Sequence, residues 1–543
     1  MPTLKLMAHG RETQQLAFDP GPSLMALLDA AWLPVRCGCR GTGACGLCRV
    51  RIDPVDAGAA QLSETLHLEP SQLAAGERLA CQVFPDQDLA VEILAPARAF
   101  EPRPRRAGLA DTPPSPAACP AVASHPEGLG VAVDLGTTLL SLSLCDLHSG
   151  ARLADCEGLN PQARSGADVV SRLQAAMESP EQRHALAQMV VEAIGAALWD
   201  MTVRAQVSLT QVRRLTIVGN SAMLALLAAS DVSRQLQPRY WDQACSALSY
   251  DAETWALGWG IAPQAQIEVL TPLGGFVGSD LLAAALAVDL GAHATPTLLI
   301  DFGTNSEIGL WDGEHFWVTA AAGGPAFEGS GISCGWPAER GAITHVRTHG
   351  EALELEVIGG GQARGLCGSG LVDLLGTLVR SGQLTAMGRF ASDIPRDGFP
   401  LSTPLGSAAH ASLLLTKSDV DSFQRAKAAV GAGVQALLDQ AGLSAAAIGQ
   451  VWLAGAFGAA LDLDNARALG LLPELPDVRF GFAGDAALAG CEQALLASTA
   501  KAQVELLRTR TRQVNLAQYE GFEACFMQHL YLQPQTYTGD ERR

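Results

Sequence analysis

Positive charge is scarce in this 543-residue chain: 37 Lys and Arg stand against 56 Asp and Glu, a formal −19 at pH 7. That shortage argues against a nucleic-acid binder, because phosphate contacts need a basic surface. It suits docking onto a partner with a basic patch. Long apolar runs are also missing. The most apolar, Leu281 to Val288, ends at Asp289 and is too short to span a bilayer. Met1 to Gly10 reads as a strand and lacks the basic start and apolar core of a leader, so a cytoplasmic protein off the membrane is expected. The thirteen cysteines are odd in number and mostly irregular in spacing, which fits reduced thiols better than a disulfide framework. No G-x4-G-K-[ST] run exists to make a P-loop, and none of the eleven histidines sits in an H-E-x-x-H run. What remains, 48% hydrophobic residues with 56 glycines, describes a large globular α/β protein of two to four domains.

Against that background Cys37-Gly38-Cys39-Arg40-Gly41-Thr42-Gly43-Ala44-Cys45-Gly46-Leu47-Cys48 stands out. Cys39, Cys45 and Cys48 follow C-x5-C-x2-C, and a fourth cysteine lies at Cys81. A short glycine-rich cysteine run with one distant fourth thiolate is how a [2Fe–2S] cluster is held. The glycines allow φ > 0 and leave no Cβ between the loop and the sulfurs. A structural zinc site would pair two C-x2–4-C knuckles, and only Cys45/Cys48 forms one. Cys37 offers a second, longer spacing to Cys45, so the first ligand is Cys39 by preference with Cys37 open. Around this loop, residues 1–95 are expected to form a β-grasp ferredoxin domain. Thr3–Met7 and Gln14–Phe18 would form a hairpin, Ser23 would cap a helix, and strands would follow at Arg49–Ile52, Gln82–Phe84 and Leu89–Leu94.

Pro96 to Pro126 carries eight prolines in 31 residues and little apolar periodicity, the mark of a semi-rigid linker over 96–127. An internal repeat follows. Val131-Ala132-Val133-Asp134-Leu135-Gly136-Thr137-Thr138 recurs 167 residues later as Leu298-Leu299-Ile300-Asp301-Phe302-Gly303-Thr304-Asn305. In each, a buried strand ends in Asp, then a hydrophobe, Gly and Thr. Such a hairpin suits phosphate: glycine lets amides approach, hydroxyls donate, and the carboxylate holds Mg²⁺ or its waters. A single D-x-G-T fills ordinary turns everywhere, but two at domain-scale separation are a stronger signal. Ala322–Gly331 and Gly365–Gly370 are further glycine turns that could wall a nucleotide cleft or simply pack backbone on backbone. The polar Gln424 and Lys427 are expected on or near the outer face of a helix over Lys417–Gln440.

The two hairpins resemble the phosphate motifs of the acetate and sugar kinase, heat-shock chaperone and actin superfamily. Val451-Trp452-Leu453-Ala454-Gly455-Ala456-Phe457-Gly458 resembles its adenosine motif. With the cysteine loop, the whole chain resembles the reductive activators of corrinoid-dependent enzymes, as do Asn160-Pro161-Gln162, Gly166 to Arg172 and Gly484 to Leu488. The departures are Cys37 and an aspartate, Asp485, where asparagine is expected. The resemblance implies a multidomain α/β and α+β architecture: β-grasp ferredoxin (1–95), linker, first ATPase lobe (128–295) and second lobe (296–543). It implies an ATP-hydrolysing reductase that returns one electron to the cobalt(II) form of a corrinoid protein in a methyltransferase system, fed by an upstream low-potential donor. Asp134 and Asp301 would hold Mg²⁺ and orient water. Gly136, Thr137, Thr138, Gly303, Thr304, Asn305, Gly455 and Gly458 would hold ATP, and Cys39, Cys45, Cys48 and Cys81 the cluster. Pairing as a homodimer is left open. Two alternatives stand beside this reading: a kinase of the same superfamily regulated by a ferredoxin domain, and an activator of a radical dehydratase.

Overall fold

The computed structural model describes residues 1–8, 11–31, 33, 35, 41–43, 46, 48–54, 58–68, 70–94, 100, 128–166, 168–323, 325–329, 331–349, 352–401, 413–475, 478–535 and 537. Cys37, Cys39 and Cys45 lie outside these residues, as does most of the expected linker. The chain divides into two compact units: residues 1–101 with 137–139 and 157–193, and residues 102–136, 140–156 and 194–543.

In the first unit, β1 (Thr3–Ala8) and β2 (Arg11–Ala17) form the expected hairpin, and Ser23 Oγ accepts from the Ala26 amide at the start of the helix Leu24–Ala30. Leu24 and Leu28, one turn apart, are fully buried against Leu4, Val50, Leu79 and Val91. Burial of each such leucine is worth about 1.5–3 kcal/mol. Strands β3 (Arg49–Asp53), β4 (Glu77–Leu79) and β5 (Leu89–Ile93) complete a sheet of order β2-β1-β5-β3-β4, in which β1 and β5 run parallel. The strand expected at Gln82–Phe84 is absent. Ala80–Gln82 is instead a 3₁₀ turn, and the Val83 carbonyl accepts from the Leu24 amide, so its acceptor caps a helix and joins no ladder.

The second unit contains the repeat as a repeated backbone. Strands β6 (Leu129–Leu135) and β7 (Leu139–Asp146) pair antiparallel; β8 (Arg152–Leu159), β9 (Val212–Gly219) and β10 (Gln266–Val269) complete the order β10-β9-β6-β7-β8. Strands β11 (Thr297–Phe302), β12 (Ser306–Trp311) and β13 (Phe316–Ala321) repeat the hairpin and its third strand. A small sheet follows, made of β14 (Ala342–His349), β15 (Ala352–Val357) and β16 (Gly365–Leu366), and then the pair β17 (Phe399–Leu401) and β18 (Leu413–Leu415). Finally β19 (Gln450–Ala454), β20 (Arg479–Gly484) and β21 (Thr511–Gln513) give the order β20-β19-β11-β12-β13-β21. In both sheets the first hairpin strand runs parallel to a later strand, β9 or β19. The hairpin strands are buried almost throughout, so they read as apolar runs and not as alternating patterns.

Two helices tie this unit together. Ala486–Leu496 crosses Ser279–Ala287 so closely that a Cβ on Gly490 would stand 1.8 Å from the Ala283 carbonyl oxygen. The helix Lys417–Ala441 corrects an expectation, since Gln424 and Lys427 are buried. Gln424 Nε2 donates to the Leu530 carbonyl at 2.7 Å and Lys427 Nζ donates to that of His529. The C-terminal helix Phe522–His529 therefore covers a second face made of small residues, and its last carbonyls are satisfied by those two side chains.

Candidate functional site

In the first unit, Cys48 and Cys81 bring their sulfurs to 3.4 Å, and both side chains are buried. Two sulfurs about 2.3 Å from one tetrahedral metal stand about 3.7 Å apart, so this pair fits two ligands of a single iron. Gln82 Nε2 reaches Cys81 Sγ at 3.4 Å and the Gly41 carbonyl at 3.0 Å, while Ser63 Oγ donates to Gln82 Oε1 at 2.9 Å. The loop winds through left-handed Gly41, Gly43 and Gly46; at Gly43 a Cβ would meet Ser63 at 2.7 Å. A buried pair that sequence reasoning missed holds this corner. Arg78 donates to both Glu64 oxygens, at 2.9 and 2.7 Å, and Glu64 also accepts the amides of Gln61 and Leu79. Burial alone would raise the Glu64 carboxyl; the Arg78 contacts and those amides outweigh it and hold it below the usual range.

In the second unit, Asp134 and Asp301 occupy the same place in their hairpins, paired across to Ser141 and Glu307 and beside Val218 and Ala454 of the parallel strands. Gly455 (φ +80°) lies against Asp301, where a Cβ would stand 2.5 Å from the Phe302 carbonyl and 3.0 Å from Asp301 Oδ1. Gly458 rests on Leu453 and Phe302, so the adenosine-like turn and the second phosphate-like turn are neighbours. Thr304 Oγ1 donates to Glu328 Oε1 at 2.9 Å; Gly303 and Asn305 flank it, part-buried. The glycines of 365–370 pack backbone on backbone, Gly368 against the Phe327 carbonyl and Gly370 against that of Ile343. Gly136 follows β6, and Thr137 and Thr138 belong to the other unit.

Around Asp301 stand three more carboxyls that the D-x-G-T pattern alone does not reveal: Asp280, Glu307 and Asp485. Protein surrounding the Asp301 carboxyl, and then the charges of Asp280 and Asp485, push it up to about 7. Asp280 is likewise raised by burial, and Glu307 is raised well above the usual range, by burial and by the neighbouring Asp280 and Asp301. Asn220 Nδ2 donates to Glu307 Oε1 at 3.0 Å, and the Gly278 amide donates to its other oxygen at 3.4 Å. Such crowding is relieved by protons or by a dication. Among the described residues no three His, Cys, Asp or Glu side chains converge as a direct metal cage. An Mg²⁺ here would keep waters and phosphate oxygens beside one or two of these carboxylates, which is its usual habit.

Comparison with known proteins matches this division of labour. Residues 8–86 match the model of the 2Fe-2S iron-sulfur cluster binding domain, residues 129–293 that of the RACo middle region, and residues 295–539 that of the C-terminal domain of RACo, the ASKHA domain. The chain belongs to the family of corrinoid reductive activators. Among the relatives of this family, the corrinoid activation enzyme RamQ of Eubacterium limosum is 29% identical over 420 residues, 73% of this chain and 69% of that protein. The [Co(II) methylated amine-specific corrinoid protein] reductase of Methanosarcina barkeri is 25% identical over 374 residues, 63% of this chain and 66% of that one. A solved structure of a reductive activator for corrinoid, iron-sulfur protein superposes with a TM-score of 0.66 at 25% identity, covering 98% of each chain. The architecture expected from the sequence is thus the one found: a [2Fe–2S] domain joined to an ASKHA ATPase that uses ATP with Mg²⁺.

Proposed function

We propose that this protein is an ATP-dependent reductase that passes one electron to the cobalt(II) form of a corrinoid protein and restores cobalt(I) for methyl transfer. One observation carries this reading: a single chain joins the Cys48–Cys81 corner to a duplicated D-x-G-T hairpin whose second aspartate sits among carboxyls. When bound, the cluster supplies a one-electron carrier at roughly −400 mV. The cobalt(II)/cobalt(I) couple lies lower, and for one electron each deficit of roughly 60 mV costs about 1.4 kcal/mol. ATP closes that gap only if the nucleotide state changes the affinity for one state of the partner.

The roles we assign are those the sequence motifs suggest. Cys39, Cys45, Cys48 and Cys81 hold the cluster. Gly136, Thr137, Thr138, Gly303, Thr304 and Asn305 hold phosphate, and Gly455 and Gly458 shape the adenosine end. Asp134 and Asp301 face the dication and the attacking water; Asp301, raised to about 7 by burial and then by the charges of Asp280 and Asp485, loses its proton once the nearby charge is compensated. We take residues 1–95, 96–127, 128–295 and 296–543 as the functional divisions, a low-potential carrier as the upstream donor, and the cytoplasm as the setting.

The test is anaerobic. With ATP and a low-potential reductant, the protein should convert a cobalt(II) corrinoid protein to cobalt(I), followed by absorption. ATP hydrolysis should be slow alone, faster with the cobalt(II) partner, and unaffected by the cobalt(I) or methylated forms. Equal ATPase rates with cobalt(II) and cobalt(I) partners would refute the coupling.

A further inference from the structure

We infer that Arg172 is a positioning residue for the first phosphate turn, acting through the backbone of Thr137. Its side chain is 1% exposed. The guanidinium donates from Nη1 to the Thr137 carbonyl at 2.6 Å and from Nε to the Gly166 carbonyl at 2.9 Å. The next carbonyl, Thr138, is also tied back, accepting the Asn160 amide at 2.9 Å. A trans peptide is planar, with its N–H opposite its C=O. Drawing the Thr137 carbonyl toward Arg172 therefore turns the Thr138 amide the other way, the orientation in which a turn amide donates to a phosphate oxygen.

The support behind Arg172 is itself fixed. Asp168 caps the helix Val169–Glu178, accepting the Ser171 amide at 2.9 Å, while Ser171 Oγ donates to the Asp168 carbonyl at 2.9 Å. Gly166 sits so close to this helix start that a Cβ would stand 2.2 Å from Ser171 Oγ and 3.0 Å from the Arg172 amide nitrogen. Asn160 Oδ1 accepts the Gln162 amide at 3.0 Å, and Gln162 Nε2 donates to the Leu186 carbonyl at 2.9 Å, which fixes the segment that holds Thr138. A guanidinium is suited to such a task, since its rigid fork reaches two carbonyls at once.

This inference rests on the proposed nucleotide site, and its test separates the two. Steady-state ATP hydrolysis is measured on the full chain for Arg172→Met, Arg172→Lys and Gly166→Ala, with cluster absorbance and the melting curve as fold controls. Loss of an oriented donor to a charged oxygen corresponds to about a 10- to 100-fold weaker contact. KM for ATP should rise by that factor in Arg172→Met with kcat little changed, the pattern of binding lost equally from ground and transition states. Arg172→Lys should recover part of it, and Gly166→Ala should reproduce it by displacing the carbonyl to which the guanidinium Nε donates. A purely structural arginine would instead lower the active fraction, and with it kcat, at unchanged KM. Unchanged KM in both Gly166→Ala and Arg172→Lys overturns the inference even if Arg172→Met fails to fold. Turnover that survives in both Asp134→Ala and Asp301→Ala overturns the nucleotide site itself, whatever the Arg172 variants do.

Discussion

Replacing Asp301 by asparagine should make the protein more stable and far less active. Asp301 stands among Asp280, Glu307 and Asp485, and its carboxyl is raised from an ordinary 3.8 to about 7. The folded state thus keeps a proton that the unfolded chain gives up. The stability this contributes is fully present below 3.8 and is lost as pH rises through about 7. That rise corresponds to about 4 kcal/mol. Asp301 retains some solvent access, which lowers that ceiling. Between pH 5 and pH 8 we therefore expect Asp301→Asn to gain about 2 kcal/mol on the wild type. Urea unfolding followed by tryptophan fluorescence reads the relevant unit, because eight of the nine tryptophans lie beyond residue 128. ATP turnover should fall by about 100-fold or more, the usual contribution of a group that positions or accepts a proton. In the wild type kcat/KM for ATP should climb through about pH 7 as Asp301 of the free protein ionises. Parallel stability curves for the two proteins from pH 5 to 8 would refute the reasoning, since the carboxyl would then carry no buried-charge cost.

Purified without oxygen, the chain should be brown with one [2Fe–2S] cluster; Cys45→Ser should abolish the colour and Cys37→Ser should leave it, whereas a colourless zinc protein would end the redox reading. Arg78→Met strands the buried Glu64 carboxylate, at a cost of about 3–5 kcal/mol, so the melting curve of the N-terminal unit should fall and the cluster spectrum should be lost at lower temperature. Lys427 is fully buried and its amine is pushed by burial down to about 7. The wild type should therefore gain stability as pH rises from about 7 toward 10.5, and Lys427→Met, compared by urea midpoints at pH 7 and 9.5, should remove that rise.

Local chemistry is what the sequence made legible. The cysteine spacing, the glycines of the cluster loop and the two D-x-G-T runs each encode their geometry within a few residues, so the hairpins and the Ser23 cap could be read directly. What escaped depends on elements far apart in the chain. Asp280 lies in the first turn of a helix, Glu307 faces Asp301 across the hairpin, and Asp485 follows β20 at the start of the next helix; no single local run encodes their meeting. The Asp301–Glu307 pairing was the one signal within reach, since a tight hairpin fixes which residues oppose each other. Lys427 was misread for a related reason. Helical periodicity finds one apolar face, and it cannot show that a second face of alanines and glycines is covered by Phe522–His529 from the other end of the lobe. The missing strand at Gln82–Phe84 has a local cause, because alternation alone does not say that the Val83 carbonyl is already engaged by the Leu24 amide.

The duplicated hairpins are alike in backbone and unlike in charge, and on the proposed function that difference has a purpose. Behind the first turn stands a cation, Arg172, holding carbonyls and so fixing the direction of amides. Around the second stand carboxyls whose mutual repulsion is relieved only by protons or by a dication. A site built only from amides would bind nucleotide tightly and release little on hydrolysis. A site whose carboxyls hold protons when empty makes binding of the metal-nucleotide complex displace them, and loss of phosphate lets them return. The two nucleotide states then differ in free energy within the protein, which is the condition for a distant partner surface to be favoured in one state and disfavoured in the other. By the same reciprocity, whatever partner form favours the ATP-bound state must raise the affinity for ATP by the same factor. Titrating ATP in the presence and absence of a cobalt(II) partner measures that factor directly, and a ratio of one would leave the uphill electron without a driving force.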